Sequence, residues 1–134
     1  MIYTITLNPA IDYVINTDKL IVGAINRCEN GRFYCGGKGI NVSLVLKELG
    51  TKSIASGFIA GFTGDEIEKS LCDKGIETDF VRLEKGCSRI NVKIRSDEET
   101  DLNTDGPKIS DFDIHLLHKK LEKITDDDVL VLSG

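Results

Sequence analysis

Aromatic residues make up only 6% of the 134 positions, and the formal net charge is −5 with the two signs mixed along most of the chain. Too few aromatics argue against a stacking platform for single-stranded nucleic acid, and unclustered Lys and Arg argue against general phosphate-backbone binding. No stretch approaches about 18 consecutive apolar residues, the length a spanning helix needs. No basic segment precedes an apolar one in Met1 to Pro9, so the start does not read as a signal peptide. A cytoplasmic protein with no membrane and no nucleic-acid partner is expected.

CxxC pairs are also absent. The four cysteines, Cys28, Cys35, Cys72 and Cys87, are scattered, and only His115 and His118 could join them at a metal. Reduced structural thiols are expected rather than a disulfide framework or zinc. The i, i+3 spacing of the two histidines suits a solvated helix face, and Asp126-Asp127-Asp128 suits a solvated turn. Internal repeats, low-complexity stretches and linkers are missing, and the length fits one domain.

What is present alternates between two periods. Ile2 to Leu7 reads as a strand ended by the turn Asn8-Pro9, with Asp12 just beyond the strand's end. Tyr13 to Ile15 and Arg27 to Tyr34 read as short strands of a different, more exposed sheet. Ile40, Leu44, Val45 and Leu49 repeat at helical spacing and Gly50 stops them. Ser53 to Ala60 is a second strand, and Thr63-Gly64-Asp65-Glu66 predicts the cap of a helix from about Asp65 to Lys74, ended by Gly75. Asp79 to Leu83 predicts a further strand. Arg89 to Arg95 and Glu99 to Asn103 flank the polar turn Ser96-Asp97-Glu98 and predict a hairpin. Ser110 with Asp113 forms a capping box for a helix through about Ile124, and Val129 to Leu132 is a short buried strand.

Strands alternating with helices imply a mostly parallel sheet flanked by helices, with functional groups at the carboxyl ends of its strands. Asp12, Gly36 to Asn41, Gly61 to Gly64 and Ser133 are expected on that one rim.

The strongest motif is Cys35-Gly36-Gly37-Lys38-Gly39-Ile40-Asn41, which runs into the amino terminus of an apolar helix. Glycines there let backbone N–H groups approach a ligand, and the helix end favours negative charge, so the loop suits a phosphate or a ring of hydroxyls. Lys38 adds a point charge, and Asn41 can donate to a hydroxyl or cap the helix locally. Gly39 stands where a Walker A loop requires Ser or Thr, and the dinucleotide Gly-x-Gly-x-x-Gly spacing is not met. Asp12 offers a carboxylate for two polyol hydroxyls or simply forms a turn. Arg27 and Arg89, each in a predicted strand of the exposed sheet, suit a phosphate dianion or remain surface residues.

Thr6-Leu7-Asn8-Pro9-Ala10-Ile11-Asp12, Gly36-Gly37-Lys38-Gly39-Ile40-Asn41-Val42, Gly57-Phe58-Ile59-Ala60-Gly61-Phe62-Thr63-Gly64 and Ser88-Arg89-Ile90-Asn91-Val92-Lys93 occur in this order along the chain. Together they resemble the ribokinase-like carbohydrate kinases of phosphofructokinase B type, nearest to the bacterial 1-phosphofructokinases and next to the tagatose-6-phosphate kinases.

The resemblance implies an α/β core with a small β-sheet lid, its segments at about 12–35 and 88–103, in a chain that is the amino-terminal part of one ribokinase-like domain. It implies a phosphorylated ketohexose and MgATP as partners, and Asp12 as the carboxylate that holds sugar hydroxyls. Gly36, Gly37, Lys38 and Asn41 would line the sugar site, Arg27 and Arg89 would meet the substrate's existing phosphate, and Asn103 would be a further contact. A homodimer through the lid is a further implication. The family's Gly-Ala-Gly-Asp block, which carries the catalytic base and anion hole, is expected beyond Gly134 together with the nucleotide site. No catalytic base is therefore expected within these residues, and the chain alone is expected to bind a sugar phosphate without turning it over.

Overall fold

The structure, a computed structural model, describes residues 1–133. In chain order the elements are β1 (Ile2–Thr6), β2 (Ala10–Asn16), β3 (Glu29–Gly36), α1 (Lys38–Glu48), β4 (Ser53–Ala60), α2 (Gly61–Asp73), β5 (Glu77–Thr78), β6 (Val81–Leu83), β7 (Arg89–Arg95), β8 (Thr100–Asn103), α3 (Asp111–Leu121) and β9 (Val129–Ser133).

Five of the strands form a parallel sheet in the order β5-β4-β1-β9, with β6 also pairing on β4. β1 lies at its centre, Ile2 standing opposite Ser53 on one side and Val129 on the other. The period of two along β1 sends Thr4 and Thr6 to one face and Tyr3 and Ile5 to the other. On the first face α1 and α2 bring Ile40, Ile67 and Leu71 against Ala55 and Ile59. There the Thr4 and Ser43 hydroxyls meet at 2.7 Å and Ser53 donates to Ser43 at 2.9 Å, so the polar groups buried beneath α1 satisfy one another. On the second face α3 brings Leu117 against Ile5, Phe58, Val81 and Leu83.

The second sheet has the order β3-β2-β7-β8. β2 runs antiparallel to β3 and parallel to β7, and β7 and β8 form the expected hairpin across Ser96-Asp97-Glu98. The chain enters this sheet from the end of β1 through Pro9, which is fully buried, and returns from β3 directly into α1.

Several boundaries differ from the sequence expectation. Asp12 lies inside β2 rather than in a loop beyond a strand, because β2 begins immediately after Pro9. α2 begins at Gly61 with Ala60 as its N-cap, four residues ahead of the expected start. The expected cap hydroxyl, Thr63, is instead buried and donates to the Ser88 carbonyl at 2.7 Å, tying α2 to the start of β7. The expected strand from Asp79 to Leu83 is shortened to β6, and the short β5 forms ahead of Asp79. Asp79 uses its backbone N–H on the Ala55 carbonyl and accepts from the Ser56 hydroxyl at 2.7 Å, while its carboxylate turns out to Lys120 and Lys123. Arg27 precedes β3, which starts at Glu29. α3 ends at Leu121, ahead of Ile124, although the Ser110–Asp113 capping box forms in full as expected.

Among the described residues no helix is long and apolar enough to cross a membrane.

Candidate functional site

The site is built where the two sheets join. Thr6, the last residue of β1, accepts the Ile40 N–H on its hydroxyl at 3.0 Å, so the core strand itself satisfies one of the open donors at the start of α1. Gly37 is the N-cap residue, with φ of 132, a value that an L side chain rarely adopts. A Cβ on Gly37 would also stand 2.6 Å from Thr6 Cγ2. These constraints press the glycine loop onto the carboxyl end of β1. The amino terminus of a helix is a place where an anion is favoured. Lys38 and Asn41 are both exposed in that first turn.

Strand register supplies the facing wall. Ala10 is opposite Gly36 on one side and Arg89 on the other, while Asp12 is opposite Tyr34 and Asn91, and Asn91 is opposite Asn103. Paired residues share a face of a sheet, so Gly36 and Arg89 lie in one row and Tyr34, Asp12, Asn91 and Asn103 in the next. Gly36 is absent of side chain for a reason: a Cβ there would sit 2.8 Å from Asp12 Oδ2. The carboxylate is thus packed directly against the glycine loop, with Asn91 Nδ2 donating to Asp12 Oδ1 at 2.9 Å.

Charge at this face is partly committed. Lys93 lies one further row out and its ammonium reaches Asp101 at 3.0 Å. Its pKa is raised, chiefly by that hydrogen bond and, after some opposition from burial, by the nearby charge of Asp12. Arg89 is half-buried, and its Nε has no hydrogen-bond partner among the described residues. The same holds for the buried Asn91 Oδ1 and Asn8 Oδ1.

The expected residues are therefore gathered unequally. Asp12, Gly36, Gly37, Lys38, Asn41 and Arg89 converge on the junction, and Asn103 joins the Asp12 row at its exposed end. Gly61 at the end of β4 and Ser133 opposite Thr6 at the end of β9 lie on the same rim, as expected. Arg27 does not converge. It is exposed in the loop ahead of β3 and borders a cavity of about 520 Å³ with Asn16, Thr17 and Glu29. Asn16 is four residues along β2 from Asp12, which places this cavity roughly 13 Å out along the strand. The expected catalytic base and nucleotide site, assigned to sequence beyond Gly134, lie outside the described residues.

Sequence reasoning missed Asn91, Thr6 and Asn8. For Asn91 the signal was available: it is two residues from Arg89 in a strand, and so shares its face. The role of Thr6 depends on how closely α1 approaches β1, which no local pattern reports.

A parallel sheet with helices on both faces, carrying a small second sheet beside the carboxyl ends of its strands, is the ribokinase-like class of α/β proteins. Within it the chain belongs to the pfkB family of carbohydrate kinases, whose family model matches residues 3–134. Similar proteins include the 1-phosphofructokinase of Bacillus subtilis strain 168, 43% identical over 134 residues, covering 100% of this chain and 44% of that protein. The D-tagatose-1-phosphate kinase of Bacillus licheniformis is 42% identical with the same coverage. Among solved structures, phosphofructokinase-2 from Escherichia coli in complex with fructose-6-phosphate superposes with a TM-score of 0.91 at 27% identity, covering 99% of this chain and 45% of the other. The chain thus spans less than half the length of the relatives it matches.

Proposed function

We propose that this chain supplies the acceptor-binding half of an ATP-dependent sugar-phosphate kinase, which transfers the γ-phosphoryl of ATP to a ketohexose phosphate. Fructose 1-phosphate, phosphorylated on its 6-hydroxyl, is the favoured acceptor, with tagatose 6-phosphate the alternative. The observation that carries this reading is the packing of the Asp12 carboxylate between Gly36 and Asn91, beside a glycine-lined helix amino terminus.

In this reading the chain positions the acceptor, which is most of what phosphoryl transfer asks of a protein. Asp12 and Asn41 take hydroxyls. Lys38, Arg89 and the amino terminus of α1 take the existing phosphate, with Arg27 and Asn103 as outer contacts. MgATP supplies the transferred group when bound. Among the described residues no group of three or more His, Cys, Asp or Glu could hold a metal ion. None of them is assigned to magnesium, to nucleotide or to acid–base chemistry.

A second copy of the chain is a further partner in this reading. Phe33, Tyr13, Val92 and Leu102 form one row across the opposite face of the second sheet, and Phe33 and Leu102 are 67% and 54% exposed.

Calorimetric titration with fructose 1-phosphate, tagatose 6-phosphate and fructose 6-phosphate tests the proposal. Fructose 1-phosphate is expected to bind most tightly, and Asp12→Ala to weaken it at least tenfold, about the value of one charged hydrogen bond. Absence of binding by all three sugar phosphates would overturn it.

A further inference from the structure

Asn91 stands opposite Asp12 in the register of β2 and β7 and is only 7% exposed. Its two amide atoms are in unlike situations. Nδ2 donates to Asp12 Oδ1 at 2.9 Å, while Oδ1 is buried and has no hydrogen-bond partner among the described residues. Rotating the amide would not relieve this, since it would set Oδ1 against a carboxylate oxygen and leave Asp12 without its donor.

The neighbouring side chains do not meet the need. Lys93, two residues on and on the same face, is held by Asp101. Arg89, two residues back on the same face, has its own Nε buried and unpartnered and has not turned to Asn91. A buried acceptor and a buried donor thus sit side by side on β7 without using each other. A folded protein seldom leaves such groups open, and at the mouth of a binding site a ligand is the partner that would complete both.

We infer that Asn91 is a specificity-determining residue: its N–H orients Asp12, and its Oδ1 accepts a hydrogen bond from a substrate hydroxyl neighbouring the one that Asp12 holds. The pair then reads two adjacent hydroxyls of a polyol. The inference rests on the acceptor-binding reading above and adds to it the recognition of a diol. Replacement of the amide by a carboxyl of the same shape would set two acids side by side, which share a proton below their raised pKa. The other ionisable groups on this face are Arg89 and Lys93 on β7, Tyr34 and Arg32 on β3, and Asp101 on β8. These groups are common to wild type and variant, so a pH response present in Asn91→Asp and absent from wild type belongs to the new acid pair.

The experiment titrates the whole chain and its Asn91→Ala and Asn91→Asp variants with fructose 1-phosphate and with its 3-deoxy and 4-deoxy analogues. Thermal melts check that each variant folds. Asn91→Ala is expected to weaken fructose 1-phosphate at least tenfold and to lose that penalty against one deoxy analogue, where the hydroxyl it contacts is gone. Asn91→Asp, which keeps the shape should the alanine variant fail to fold, is expected to bind poorly at about pH 8 and to recover at about pH 5, where one proton serves both carboxyls. Equal losses for all three ligands together with a flat pH response would show a structural role only and overturn the inference. So would unchanged affinity in Asn91→Ala. Failure of the wild-type chain to bind fructose 1-phosphate would remove the functional reading and this inference together, whereas wild-type binding indifferent to Asn91 would remove the inference alone.

Discussion

At the scale of single residues the site is defined more by what cannot be added than by what is present. Gly36 leaves space that the Asp12 carboxylate occupies, and a methyl there would meet Oδ2 at 2.8 Å. Asp12 is half-buried and can turn away only by giving up its bond from Asn91. Gly36→Ala is therefore expected to lower sugar-phosphate affinity about tenfold while shifting Tm by only a few degrees, since the strain falls on one side chain. Parallel calorimetry and thermal melts check this split. Asp12, Gly36 and Gly37 were legible in the sequence because glycines ahead of an apolar helix and an acid after a strand are local patterns. Asn91 was legible only in part: its spacing from Arg89 is a local signal, but its cross-strand pairing to Asp12, 79 positions away, is not.

At the scale of elements, period and punctuation identified every helix and all but the smallest strands. The misses have particular causes. Thr63 looks like a cap but is spent on Ser88, and Asp79 looks like strand but is claimed by Ser56 on β4 and Lys120 on α3. The second case has a measurable consequence. Burial alone would raise the Asp79 pKa, but hydrogen bonds from Lys120 and Lys123 outweigh it and hold the carboxyl below its usual value. A depressed folded-state pKa contributes stability above the unfolded value of about 3.9, lost as the pH falls through the folded one. Asp79→Asn is expected to melt lower than wild type at neutral pH, and the difference to shrink as the pH falls below the unfolded carboxylate value in a series of thermal melts. The intact capping box of α3 is a firmer case, since Ser110 accepts from the Asp113 N–H and Asp113 reaches back to Ser110. Ser110→Ala is expected to cost about 1 kcal/mol in denaturant unfolding.

At the scale of the whole molecule, the parallel core was legible from alternation alone, while the order of its strands was not. Nothing local announces that β9 pairs with β1 rather than with β6. That placement leaves β9 at one edge of the sheet, with Leu130 and Leu132 on the α3 face at 40% and 69% exposure. An apolar strand at an open edge invites pairing with another chain. Size-exclusion chromatography of the chain is expected to show concentration-dependent association, and Leu132→Lys to reduce it.

The bond between Asp12 and Asn91 also has a kinetic meaning. It joins residues 79 apart, across two strands whose turns and helices can all form before it does. Contacts of such long range carry a high loop-closure cost and are made late. Ligand-binding competence should thus lag behind helix formation during refolding, so that the protein acquires its shape before it acquires its specificity.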